Sequence, residues 1–166
     1  KLLKLILDCF KGARHIEVDL NRMIVIIKGK NGTGKTTLAD AWFYLFTDKD
    51  ANNNSVGDSI RPHNTDGVRK DFVEIKVSAT AKADDETYEF TKIQRQKWVK
   101  KRGQEEQEFS GNENVYLING VPKTQKDFTA FVSEHICPVD VLPFCINANA
   151  FLSLDNKKRR EKVSLD

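Results

Sequence analysis

The segment GKNGTGKT at residues 29–36 constrains the fold more than any other part of the sequence. It matches the pattern G-x-x-x-x-G-K-[ST], in which glycines let the backbone wrap closely around phosphate oxygens. An apolar run at residues 23–27 precedes it, and a segment with apolar residues at helical spacing follows it. A strand, a glycine-rich loop and a helix in this order form a P-loop, so the sequence predicts an α/β nucleotide-binding fold.

The residues of this loop have predicted roles in holding a nucleotide. Successive backbone N–H groups form a nest for phosphate, and the Lys35 ammonium reaches the β- and γ-phosphates. The Thr36 hydroxyl is the predicted Mg²⁺ ligand, and Thr37 adds a hydroxyl near the α-phosphate. We therefore expect the following residues to bind the nucleotide: Gly32, Thr33, Gly34, Lys35, Thr36 and Thr37.

Apolar patterns on both sides of the loop predict strands. Residues 1–7 and 15–20 predict two strands, the second with clear alternation of apolar and polar residues. Residues 23–27 are apolar without alternation, which is typical of a strand covered on both faces, so we expect it at the centre of the sheet. Residues 71–80 and 86–98 alternate and predict a β-hairpin.

A second hairpin and a capped helix are predicted further along the chain. Asn119 and Gly120 lie between two apolar runs and suit a type I′ turn. Thr124 and Asp127 have the spacing of an N-cap and its N3 acid, and an apolar helical face follows them.

Other segments read as irregular or strongly basic. Residues 47–70 are rich in Asn, Asp and Gly and predict a long surface loop, in which Asp48 and Asp50 act as cap or turn residues rather than as a metal-binding pair. FSG at residues 109–111 lacks the second glycine of an ABC signature and predicts a turn between strands. A further helix with a dense basic face is predicted from Asp155.

Composition restricts the class of protein. The 166 residues hold 27 Lys and Arg against 24 Asp and Glu, and the net charge of +3 is too small to indicate nucleic acid by itself. No apolar run reaches the roughly 20 residues of a membrane span, so we expect no membrane partner. Three cysteines without a CxxC pair indicate a reduced, cytoplasmic protein, and three scattered histidines do not form a metal site.

The basic run KWVKKR at residues 97–102 places an aromatic side chain among cations. A contact with a nucleic-acid backbone and a solvated hairpin tip both explain this pattern, and the sequence favours the solvated tip. The basic residues 157–160 allow a contact with phosphates in a dimer cleft or a solvated face at the root of a coiled coil.

The residues needed for hydrolysis are missing from the sequence pattern. A P-loop ATPase needs a second apolar strand that ends in Asp, usually followed by a Glu that acts as base. The nearest match ends at Asp8, lies before the P-loop and lacks the Glu. GTPase motifs are absent as well, since NKKR has Arg159 where a guanine-binding Asp is required. We therefore expect a chain that binds ATP and Mg²⁺ without efficient hydrolysis, with no catalytic residue of its own.

Several segments together give a resemblance to a known family. The sequence resembles the N-terminal half of an ABC-type P-loop ATPase head of the SMC, SbcC and RecF/RecN-like DNA repair group, and is most similar to AAA-type ATP-binding proteins of phages and bacteria. This resemblance implies an N-terminal lobe with a mixed sheet and a β-hairpin subdomain at residues 1–154, and the start of a helix leading to a coiled coil at residues 155–166. The segments that carry it are CFKGARHIEVDL, IIKGKNGTGKTTLADAW, LFTDKD, QKWVKKRG, YLINGVPKTQKDF and NAFLSLDNKKRREKV.

The resemblance also implies roles for individual residues. Asn31 matches the polar P-loop residue that touches the γ-phosphate, and Lys11 matches a basic residue that reaches the nucleotide. The Q-loop residue beside Mg²⁺ falls at Asn147 or Asn149, with Asn147 as the candidate metal ligand, although many family members have Gln there. The loop at residues 58–70 is a candidate cover for the adenine.

The resemblance implies partners that complete the head. Both ends of the sequence look cut, so we expect a coiled coil and a C-terminal half that carries the Walker B acid, the catalytic Glu and the signature motif. A head-to-head homodimer, DNA and a nuclease subunit are the further expected partners. The alternatives are an ABC-type ATPase with a function unrelated to DNA and a non-catalytic module whose interactions are gated by nucleotide. A small-molecule kinase ranks behind both, because the sequence shows no lid and no second acid.

Overall fold

A computed structural model describes residues 1–20, 26–83, 85–100, 106–146, 152 and 155–163. These residues form a six-stranded sheet in the order β2-β1-β3-β4-β5-β6. The strands are β1 (Leu2–Asp8), β2 (His15–Asp19), β3 (Ile75–Ala83), β4 (Glu86–Lys100), β5 (Gln107–Ile118) and β6 (Val121–Lys123). The helices are α1 (Lys35–Thr47), a 3-10 helix (Gly57–Ile60), α2 (Gln125–His135), α3 (Leu142–Ile146) and α4 (Asn156–Val163).

The first two predicted strands are confirmed as β1 and β2, which pair antiparallel with Leu7 opposite Ile16. Strand β1 also pairs antiparallel with β3, where Leu7 lies opposite Val77. All pairings between the described strands are antiparallel, so the described residues hold no parallel part of the expected mixed sheet.

The prediction of a buried central strand at residues 23–27 is wrong for the part that the structure describes. Residues 23–25 lie outside the described residues, while Ile26 and Ile27 belong to no strand and are 73% and 45% exposed. In the sheet order, the two middle positions belong to β3 and β4, and β1 lies between β2 and β3. Apolar character alone therefore did not decide which segment fills the centre.

Both predicted hairpins are confirmed. Strands β3 and β4 close at the pair Ala83 and Glu86. Strands β5 and β6 close at Ile118 and Val121, leaving a two-residue turn. Asn119 and Gly120 in this turn have φ of 50° and 76°, and positive φ at both positions is what a type I′ turn requires.

The predicted turn at residues 109–111 is wrong, because these residues belong to β5. Lys97 pairs with Gly111 and Trp98 pairs with Phe109, which leaves Ser110 as the extra residue of a β-bulge. Gly111 has φ of 125°, a value that glycine adopts without a steric penalty. Cross-strand contact between Trp98 and Phe109 thus overrides the local preference of a polar, glycine-containing segment.

The core lies between one face of the sheet and helices α1 and α2. Helix α1 is buried along most of its surface, as its apolar sequence predicts. The Phe46 ring meets the Phe90 ring of β4 edge-on at 5.5 Å, and Phe128 of α2 packs against both. Helix α2 begins as predicted, since the Thr124 side chain accepts a hydrogen bond from the Asp127 N–H.

Residues 47–70 contribute to the core, so the prediction of a loop over the surface is only partly right. Asp48 ends α1 as its C-cap with φ of 59°, and the Asp50 carboxylate accepts from the N–H groups of Asn52 and Asn54, as expected for cap and turn residues. The 3-10 helix that follows buries Val56 and Ile60, and the adjoining Arg61 is only 1% exposed.

Candidate nucleotide-binding site

The glycine-rich loop turns through two left-handed positions before α1. Gly32 and Gly34 have φ of 81° and 85°, conformations that cost an L-residue free energy. The Thr33 hydroxyl donates to the carbonyl of Lys30 at 2.8 Å and closes the loop on itself. The Lys35 ammonium donates to the carbonyls of Gly29 and Lys30 at 2.7 and 2.6 Å, so its charge lies against the loop backbone.

The first turn of α1 carries unneutralised positive potential. Its N-cap is Gly34, which offers no capping side chain, and the first turn contains no acidic residue. The first backbone hydrogen bond of the helix runs from Leu38 N–H to the carbonyl of Gly34 at 3.2 Å. The N–H groups of residues 35–37 therefore have no partner within the helix, and together with the helix dipole they can bind an anion.

A cavity of about 560 Å³ lies at this helix terminus. The loop lines one side, and the turn between β1 and β2 lines the other. Sequence reasoning named Lys11 in that turn but missed Gly12 and Ala13, although a glycine between two predicted strands was a usable signal for them. The lining residues are Gly12, Ala13, Ile16, Asn31, Gly32, Thr33, Gly34, Lys35, Thr36 and Thr37.

Lys11 is held away from this cavity by an ion pair. Its ammonium lies 2.5 Å from Asp40 Oδ2, and Asp40 is nearly fully buried on α1. The other Asp40 oxygen accepts from the Ala51 N–H at 2.9 Å. Lys11 has φ of 54°, a strained value for a residue with a Cβ, in the same turn that presents Gly12 and Ala13 to the cavity. In the sequence, the signal for this pair was an acid, Asp40, among the apolar residues of the predicted helix.

None of the other expected site residues that the structure describes lines the cavity. Asn147 and Asn149 lie outside the described residues. No residue of the segment 58–70 lines the cavity. Among the described residues no group of three or more His, Cys, Asp or Glu side chains could hold a metal ion, and no helix is long and apolar enough to cross a membrane. Among the described residues, Thr36 is still the one that we predict to bind a metal ion.

The fold and the loop geometry define a class of protein, the P-loop NTPases. The sequence profile of the AAA domain family matches residues 4–164, so the chain belongs to this family. No curated protein matches the chain. Among solved structures, the SMC head domain from Thermotoga maritima matches with a TM-score of 0.50 and 20% sequence identity over 79% of the chain. At this identity the match shows the fold alone.

These matches confirm the resemblance to SMC and ABC-type ATPase heads at the level of family and fold. The chain spans 41% of the length of the matched SMC head domain. Activity, substrates and partners of a whole head are therefore matters for proposal.

Proposed function

We propose that this chain is the ATP-binding lobe of an SMC-like ATPase head. The observation that carries the proposal is the helix terminus at the cavity: free N–H groups at residues 35–37, a lysine held at the loop, and no neutralising acid in the first turn. A triphosphate chain fits this donor set, because each of its oxygens accepts hydrogen bonds and its charge is negative.

Individual residues have distinct proposed tasks. The Lys35 ammonium exchanges its two carbonyl acceptors for phosphate oxygens, and the Thr36 hydroxyl, which is exposed at the cavity, is a ligand for Mg²⁺. Asn31 and Thr37 supply further polar contacts from the cavity lining. Lys11 reaches the nucleotide only by leaving Asp40, so we place it as a contact formed on binding.

Hydrolysis is proposed to need residues outside this sequence. Asp8, the only acid with an apolar strand before it in the expected pattern, faces His15, with the two side chains 2.6 Å apart at the sheet surface. It does not line the cavity. The catalytic acid and base are therefore assigned to a C-terminal half, and the signature motif to a second head in a homodimer. DNA is the proposed substrate of the assembled head, and a nuclease subunit is its proposed partner on the strength of the resemblance.

Phosphate release from ATP tests this division of labour. We expect no Mg²⁺-dependent release by the chain alone, and release after the C-terminal half is supplied, faster when DNA is present. Lys35→Ala in the chain should abolish the restored turnover, while Lys28→Ala, an exposed lysine just before the motif, should not. Lys35-dependent release by the chain alone would show that the catalytic acid lies within these residues and would contradict the proposal.

A further inference from the structure

Three aromatic side chains form an exposed cluster far along the chain from the P-loop. Phe72 stacks on Trp98 with ring centroids 4.6 Å apart and an interplanar angle of 20°. Phe109 meets the Trp98 ring edge-on at 5.7 Å. Phe72 is 73% exposed and Phe109 is 45% exposed. We call these three residues the aromatic platform, since one face of an aromatic stack is open to solvent.

The backbone at Phe72 is held in a costly conformation. Its φ is 59°, and a bulky residue in this region costs about 1–3 kcal/mol. The Phe72 N–H donates to Gln96 Oε1 at 2.7 Å, and Gln96 Nε2 donates to Asp71 Oδ1 at 2.8 Å. These two hydrogen bonds fasten the turn to β4. The strained backbone thus keeps a phenyl ring exposed beside Trp98. Backbone strain at an exposed aromatic residue is typical of a binding site rather than of a loop tip.

The platform lies on a two-stranded arm. The pairing of β3 with β4 ends at Ile75, the first residue of β3, which lies opposite Gln94. Beyond this point β4 pairs only with β5, through the pair Lys100 and Gln107. This two-stranded part of β4 is about 20 Å long at 3.3 Å per residue. The segment before β3 packs against its base, since Asp71 and Phe72 bond to Gln96.

The face of the arm that carries the platform has Lys100 and no acid of β4 or β5, since Glu108 and Glu113 lie on the other face, while Asp71 lies beside Gln96. The sequence contains no Asp or Glu from residue 90 to residue 104. Alternation along β4 puts Lys100 on the same face as Trp98, and Lys97 on the other. Glu108 lies opposite Val99 in the register, and so faces away from the platform. Lys97 and Lys100 form no ion pair with any residue that the structure describes.

We propose that the aromatic platform binds unpaired bases of single-stranded nucleic acid, with Lys100 beside the phosphate backbone. An exposed ring stacks on a base of any sequence, while the lysine contributes attraction to phosphate. Paired bases are already stacked within a duplex and cannot lie on Phe72. The platform is separate from the P-loop, so the proposal extends the proposed function to a strand contact without depending on ATP binding.

Tryptophan fluorescence with an oligothymidylate as probe tests the proposal at low salt. Titration of the purified chain should quench Trp98, and a duplex of the same length should bind more weakly. Phe72→Leu keeps apolar area but removes the ring, and should weaken binding about tenfold, within the range found for loss of one stacked base. Phe72→Tyr keeps the ring and should bind as the original chain does.

Two lysine variants and one P-loop variant serve as controls. The negative slope of log affinity against log salt should become shallower by about 0.7 in Lys100→Gln, the value for one phosphate contact on a single strand. Lys97→Gln on the opposite face should leave the slope unchanged. Lys35→Ala should bind the oligonucleotide normally, so a failure of ATP binding and a failure of this proposal are distinguishable.

Two outcomes would overturn the proposal. If Phe72→Leu and Phe72→Tyr bind oligothymidylate equally well, the ring does not stack on bases. If the chain binds no oligonucleotide but Phe72→Leu and Phe72→Tyr both change its self-association in sedimentation, the platform is a protein–protein contact. Melting temperatures of the variants within a few degrees of the original would show that the comparison concerns folded protein.

Discussion

Lys92 shows how a single charged residue is accommodated in the core. Its side chain is fully buried on β4, where the ammonium donates to the carbonyl of Tyr44 at 2.9 Å and forms an ion pair with Asp48. The ammonium also lies 3.9 Å from the centre of the Tyr44 ring. Burial lowers the pKa of Lys92, and the Asp48 carboxylate opposes that shift. Burial likewise raises the pKa of the neighbouring Tyr116 to about 12.

Because Asp48 is the only described carboxylate paired with Lys92, neutralising it should be costly. We expect Asp48→Asn to lower the free energy of unfolding by about 1–3 kcal/mol, since a buried ammonium loses its counter-charge. Asn is chosen because it tolerates the positive φ of this C-cap. Urea unfolding at pH 7 measures the change.

The matched variant is Lys92→Met, which replaces the buried charge by an apolar side chain of similar length. It should cost less than Asp48→Asn, because Asp48 is 41% exposed and can be solvated when it is left alone. If Lys92→Met lowers the free energy of unfolding more than Asp48→Asn does, the Lys92 ammonium stabilises the fold through contacts other than its pair with Asp48, and this explanation is wrong.

At the scale of elements, the helices and hairpins were the parts that sequence predicted best. The P-loop helix, the capped helix after Thr124 and the turn at Asn119 and Gly120 depend on local chemistry, which short stretches of sequence contain. Two segments whose conformation depends on distant contacts were predicted wrongly. The segment at residues 109–111 is a strand because β4 pairs with it. Ile26 and Ile27, for which the sequence predicted a buried strand, belong to no strand and are exposed.

The residues of the candidate site also differ in how far the sequence predicted them, for the same reason. Its loop residues were predictable, because the P-loop motif is contiguous and each residue type has a local reason. Gly12 and Ala13 of the cavity wall and the pair between Lys11 and Asp40 were not, since they meet only when β1, β2 and α1 are assembled. Asp40 stood out in an apolar helix, but the sequence did not name its partner.

The junction of the P-loop and α1 gives a prediction about conformation. Gly34 has φ of 85°, so Gly34→Ala should lower the free energy of unfolding by about 1–2 kcal/mol. An added Cβ at this position would lie 3.9 Å from its nearest neighbouring atom, so backbone strain rather than a steric clash would cause the loss of stability.

Gly12→Ala is the matched control on the other cavity wall. Gly12 has no left-handed φ and no atom within 4 Å of an added Cβ, so this change should stay within about 0.5 kcal/mol. Urea denaturation of both variants gives the comparison. Equal losses in the two variants would contradict an origin in backbone strain.

At the scale of the whole molecule, one antiparallel sheet presents two separate surfaces. The P-loop cavity lies where the turn between β1 and β2 meets α1, and the aromatic platform lies on the arm formed by β4 and β5. The segment after α1 contacts both regions: the Lys11 N–H donates to the carbonyl of Ile60, and the Arg61 guanidinium donates to Asn112 on β5. We assign nucleotide to the first surface and a single strand of nucleic acid to the second.

The most direct measurement of the central claim is a calorimetric titration of the purified chain with ATP and Mg²⁺, beside Lys35→Ala and Lys28→Ala. We expect one ATP per chain, affinity at least about tenfold weaker in Lys35→Ala because a charged hydrogen-bond donor is lost, and no change in Lys28→Ala. Equal ATP affinity in the original chain and in folded Lys35→Ala would contradict the assignment of the P-loop cavity as the nucleotide site.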